Sequence, residues 1–149
     1  MRVVVCVARV VDTSQPLLVT GGAAALDEEG LSHVLNPADQ HALEEGLRLK
    51  DRFPDSHLTA VSMGPSENEA ALRSCLALGA DDAVLLADEA FRRSDTLATA
   101  RILARAIGPV LSAMRTPPLR MAESSSKEPG RADVVLCGQR ATDGDTGQV

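Results

Sequence analysis

Val3, Val4, Val5, Cys6 and Val7 form an unbroken apolar run near the start of the chain. A strand with one face in water alternates apolar and polar residues, because successive side chains point to opposite faces. A continuous run needs cover on both faces, and a parallel sheet layered between helices provides it. Met1 to Val11 is therefore expected to be one buried strand. The core must be aliphatic, since the 149 residues include two Phe and neither Tyr nor Trp. With 44% hydrophobic and 24% charged residues, the chain has the balance of one soluble globular domain over 1–149. That length suffices to bury roughly 70% of the unfolded chain's surface.

The remaining segments alternate strand and helix. Leu17 to Thr20 and Leu31 to Leu35 are weakly extended and separated by Gly21-Gly22 and Asp27 to Gly30, which predicts a β-hairpin excursion over residues 17–35. Asn36-Pro37 is a helix start, with Asn as N-cap and Pro in the first helical position. That helix runs to about Arg52, ahead of Pro54. Leu58 to Met63 is a second strand, and Gly64-Pro65 turns the chain. Ser66-x-x-Glu69 has the form of a capping box for a helix through Leu78, closed by Gly79. A third strand, Ala83 to Ala87, precedes a helix from Ser94-Asp95 to Ile107 or beyond. Thr116 to Arg131 is rich in Pro, Ser and charge and reads as a flexible insertion. Asp133 to Cys137 is the last strand. The order implies right-handed crossovers and a mainly parallel sheet in an α/β three-layer sandwich, Rossmann-like in its adenine-nucleotide-binding form.

Function is then sought beyond the carboxyl ends of the strands, where open parallel sheets hold ligands. Three exits open there: Arg9 to Thr13, Met63 to Ser66 and Gly138 to Val149. Glycine amides in these loops approach a ligand without Cβ hindrance, and Thr146 and Gln148 add neutral polar groups. On pattern alone, Asp143 to Gly147 is equally a ligand loop or a tight turn.

Neither a dinucleotide Gly-rich fingerprint nor a Walker loop occurs, and no catalytic set stands out, so an enzyme is not expected. Cys6, Cys75 and Cys137 stand far apart among apolar residues, as small hydrophobes do in a reducing compartment. His33, His41 and His57 lack metal-ligand spacing, and no metal is expected. A net charge of -6 with so few aromatics argues against nucleic-acid or anionic-membrane binding. No stretch has the roughly 18 apolar residues of a membrane span, so a cytoplasmic location is expected.

Five segments in this order resemble the beta subunit of electron-transfer flavoproteins. They are Val3 to Thr13, Asn36 to Lys50 (Asn-Pro-Ala-Asp-Gln-His-Ala-Leu-Glu-Glu-Gly-Leu-Arg-Leu-Lys), Ala60 to Pro65, Ala71 to Asp81 and Leu136 to Val149. The likeness spans nearly the whole chain outside Thr116 to Arg131. Family beta subunits run on past the position of Val149, so an N-terminal portion, incomplete at its C-terminus, is expected.

The resemblance implies an electron carrier subunit holding AMP, or a second FAD in electron-bifurcating members. Its partner alpha subunit would bind most of the electron-transferring FAD, fed by acyl-CoA or other dehydrogenases and passing electrons toward the respiratory chain. It also implies which residues hold the nucleotide. Cys6 and Met63 would line the adenine, and Asn36, Pro37, Ala38 and Asp39 would edge the pocket. Val134, Cys137 and Gly138 would continue it. Asn36 and the Ala141 to Thr146 loop, with Asp143, Gly144 and Asp145, would supply polar contacts, and Thr146 with nearby amides would reach the phosphate. Ala8 stands where the family usually has Lys, which removes a positive charge near the strand end. Two alternatives stay open. A stand-alone adenine-nucleotide module of the stress-protein type shares the strand–helix order, but Gly138 to Gly147 matches its phosphate loop poorly. A truncated, non-functional remnant would leave a sheet edge uncovered.

Overall fold

The computed structural model describes residues 1–16, 19–20, 25–26, 30–91, 94–113, 132–142 and 146–149. The expected insertion at Thr116 to Arg131 and the loop residues Asp143, Gly144 and Asp145 lie outside them.

The continuous apolar run is β1, Arg2–Cys6, and Val3, Val4 and Val5 are each 0% exposed. It is the third strand of a four-stranded parallel sheet. In space the order is β7 (Asp82–Ala87), β6 (His57–Gly64), β1 and β8 (Val134–Cys137). Val3 pairs with Leu58 on one side and Val134 on the other, and Cys6 with Val61 and Cys137.

The helices divide between the two faces. On one, α1 (Pro37–Arg52) and α2 (Glu69–Leu78) bury Leu43, Ala42, Leu72 and Cys75 against Val3, Val5, Leu58 and Ala60. On the other, α3 (Thr96–Ala113) brings Leu103 and Ile107 onto Val4, Val61 and Val84. The α/β three-layer expectation is met, and both faces of β1 are filled by aliphatic side chains.

Three local expectations are corrected. The run Met1 to Val11 is not one strand. β1 ends at Cys6, and β2, Arg9–Val11, leaves the sheet to pair antiparallel with β5, His33–Leu35. The hairpin excursion is accordingly two small pairings rather than one, because β3 (Val19–Thr20) pairs with β4 (Ala25–Leu26) instead of with β5. Glu69 begins α2 only after a one-turn 3-10 helix at Ser66–Asn68, with no side-chain cap bond. The capping box does not form, and Ser66 Oγ instead hydrogen-bonds Glu67 Oε2 at 3.1 Å.

At the far end of α2, Gly79 takes φ +121°, a conformation that L side chains rarely adopt, and its N–H bonds the Leu76 carbonyl.

Candidate functional site

The sheet reverses its winding at β1. Successive strands step from β1 to β6 to β7 in one direction, and β8 returns to the other side of β1. At such a switch point a crevice opens beyond the carboxyl ends of the strands. A cleft of about 560 Å³ lies there, within the range of small-molecule sites.

Asp39 fixes the geometry of this crevice. It sits in the first turn of α1, is 6% exposed, and reaches both sides of the switch. Its carboxylate accepts the Ala8 N–H at 2.8 Å, from the exit of β1, and the Gly138 N–H at 3.1 Å, from the exit of β8. Burial pushes the Asp39 carboxyl above its ordinary range, against the hydrogen bonds from Ala8, Asn36 and Gly138. The contact is so close that a Cβ on Gly138 would stand 2.7 Å from the Ala38 backbone carbon and overlap Asp39 Oδ1. Only glycine fits there.

Asn36 stands at the N-cap position of α1, yet its side chain makes no cap bond. Nδ2 instead donates to the Arg140 carbonyl at 2.9 Å, tying the β8 loop to the helix start. The residue is 1% exposed, and Oδ1 has no hydrogen-bond partner. A buried acceptor left unpaired at a cleft wall is costly unless a ligand or water donates to it. On the β6 side, Asn68 plays a similar part. Its Nδ2 donates to the Met63 carbonyl at 3.1 Å and to Ser62 Oγ at 3.2 Å.

Of the residues expected at a nucleotide site, Cys6, Asn36, Asp39, Met63, Cys137, Gly138, Ala141 and Thr146 line the cleft. Pro37 and Ala38 do not line it, although the Ala38 backbone helps hold Gly138 in place. Val134 opens β8 beside Val3, at the opposite end of the strand. Sequence reasoning missed the Ala8 amide, Asn68, and the far wall from Phe91 and α3, where Thr99 and Leu103 face the cleft. Nothing local marks them, because each enters through tertiary placement.

Chemically the cleft pairs an apolar floor, Cys6, Val61, Met63 and Leu103, with a polar rim that includes Arg9, Arg140 and Thr146. Its buried carboxylate is occupied by backbone amides. Such a lining suits a flat heteroaromatic group carrying a polar or anionic tail. Among the described residues, no group of three His, Cys, Asp or Glu side chains is placed to hold a metal ion. No helix of the described residues is long and apolar enough to cross a membrane.

Comparison with known proteins gives this geometry a family. A model of the electron transfer flavoprotein domain matches residues 23–114. Over all 149 residues the chain is 38% identical to electron transfer flavoprotein subunit beta of Thermoanaerobacterium thermosaccharolyticum, covering 49% of it. It is 40% identical to Protein FixA of Azotobacter vinelandii over 47% of that protein. It is 38% identical to acryloyl-CoA reductase electron transfer subunit gamma of Anaerotignum propionicum, over 49%. In each case all of this chain is aligned, so it spans about half the length of the relatives it matches. The chain belongs to the electron transfer flavoprotein domain family.

Proposed function

We propose that this chain is the nucleotide-holding portion of a beta-type electron transfer flavoprotein subunit. AMP, or the AMP half of a second FAD, would occupy the cleft between the exits of β1, β6 and β8. The observation that carries this reading is Asn36. Its buried, unpartnered Oδ1 at the cleft wall calls for a donor, and the adenine amino group or a ribose hydroxyl supplies one. Cys6 and Met63 offer the base an apolar bed, while Thr146, Arg9 and Arg140, which also line the cleft, would serve a phosphate. Asp143, Gly144 and Asp145 remain candidates for the same rim.

A partner alpha subunit would carry most of the contacts to an electron-transferring FAD. Electrons from acyl-CoA or other dehydrogenases would pass through that flavin, which supplies the redox chemistry when bound. This chain's residues would hold and orient the nucleotide without making or breaking bonds, so the chain is an electron carrier subunit and not itself an enzyme. The names of its relatives, an electron transfer flavoprotein beta subunit and an acryloyl-CoA reductase electron transfer subunit, support that assignment.

Co-expression with an electron transfer flavoprotein alpha subunit tests it. The expected product is a yellow complex that releases both FAD and an adenine nucleotide on denaturation. A stable, colourless chain that purifies apart from the alpha subunit counts against it. Tight ATP binding by the isolated monomer would instead favour the stand-alone nucleotide module.

A further inference from the structure

Cys6 and Cys137 are distant in sequence but adjacent in the sheet. Each is the last residue of its strand, and the two are register partners across the parallel β1–β8 pair. Register partners in neighbouring strands present their side chains on the same face, so the two thiols stand side by side. Both line the cleft, with Cys137 exposed and Cys6 half-buried.

We propose that Cys6 and Cys137 form a dithiol site for thiol–disulfide exchange with low-molecular-weight disulfides, closing a Cys6–Cys137 bridge across the cleft floor. Adjacent strands lie about 4.8 Å apart, inside the ~4.4–6.8 Å Cα separation that a disulfide spans. Among the described residues, β8 pairs with β1 alone. The bridge would lie at strand ends, where the ladder stops, rather than in mid-sheet.

Cys137 is the attacking group. It is the more exposed thiol, and the Cys6 thiol beside it stabilises its thiolate, lowering its pKa to about 7. The same partnership pushes the Cys6 thiol up, so the pair gives up its first proton from Cys137. The Cys137 thiolate attacks one sulfur of the small disulfide and expels a thiolate, leaving a mixed disulfide on Cys137. Cys6 then loses its proton and attacks the Cys137 sulfur, expelling the second thiolate. Two protein thiols are oxidised by two electrons, one small disulfide is reduced, and the two protons end on the two released thiols.

Cys75 provides an internal control. It is 0% exposed on the opposite face of the sheet, and burial pushes its thiol up to about 11. The site needs no bound nucleotide and stands independently of the function proposed above.

The test treats the full chain with oxidised glutathione at mildly alkaline pH and follows intact mass. The expected product has lost two hydrogens, and a non-reducing digest joins the peptides that hold Cys6 and Cys137. Cys6→Ser should stop at a glutathione adduct on Cys137. Cys137→Ser should form no bridge, and Cys6, still half-buried and facing Asp39, should react more slowly than Cys137 does. Wild-type protein that stays unreacted, that stops at the adduct, or that cross-links through Cys75 overturns the proposal. So does glutathionylation of Cys6 in Cys137→Ser at the wild-type rate.

Discussion

At the scale of single residues, the site depends on side chains whose identity was plain in the sequence and whose partners were not. Asn36 before Pro37 marks a helix start, and α1 does begin there. Its amide, however, serves Arg140, which lies 104 residues away, and no local pattern encodes that distance. Asp39 looks like a favourable acidic residue in a first helical turn. Its observed task is to gather two backbone amides from opposite sides of the switch point, with Gly138 pressed against it. Gly138→Ala puts a methyl group into the Ala38–Asp39 backbone, which cannot yield as a flexible side chain would. Overpacking of this kind costs about 1–3 kcal/mol. The substitution should lower the unfolding free energy by that amount and, by displacing the cleft wall, weaken AMP binding about tenfold, a change of roughly 1.4 kcal/mol. Equilibrium unfolding and calorimetry measure the two effects. An alanine variant with unchanged stability and affinity would show that the close approach is unimportant.

Elements were legible where one local rule dominated. Apolar continuity located β1, and Gly79 closed α2 as a residue that tolerates positive φ. Gly79→Ala should therefore destabilise the chain by about 1–3 kcal/mol, the usual cost of a non-glycine residue in such a conformation. An added Cβ would also stand 3.1 Å from Leu47 Cδ2. Thermal or urea unfolding checks this, and no loss of stability would contradict the assigned geometry. The break between β1 and β2 was not legible, since Val10 and Val11 prolong the apolar run and only the distant partner β5 pulls them away. The capping box failed for a similar reason. Asn68 turns inward to hold the exit of β6, and the chain spends Ser66 to Asn68 on a 3-10 turn.

The opposite end of the sheet has its own clamp. Asp81 accepts the Leu58 N–H at 2.9 Å and pairs with Lys50. Partial burial opposes ionisation of Asp81, but Leu58, Lys50 and His57 together outweigh it and hold the carboxyl below its ordinary value of 3.8. A lowered pKa in the folded state contributes stability that is present above the ordinary value and lost as pH falls through the folded one. The difference in Tm between wild type and Asp81→Asn should therefore be full near neutrality and shrink below about pH 3.8. A difference that persists unchanged into strong acid would contradict the assignment.

For the whole molecule, the aliphatic composition and the alternation of strand and helix identified the layered parallel sheet. The position of β8 beside β1 was beyond such reasoning, because a crossover can return to either side of the sheet. That placement creates the switch point, and it brings Cys6, Asn36, Asp39 and Gly138 to one crevice from three separate stretches of chain. The proposed occupant of this crevice is an adenine nucleotide. Titrating the isotope-labelled 15.6 kDa chain with AMP, while following backbone amide shifts, locates binding directly. Saturable shifts at Ala8, Gly64, Gly138 and Thr146, with those at Asp55, His57 and Asp82 unmoved, are the predicted result. No saturable change, or shifts confined to the Asp55–Asp82 end of the sheet, would contradict it.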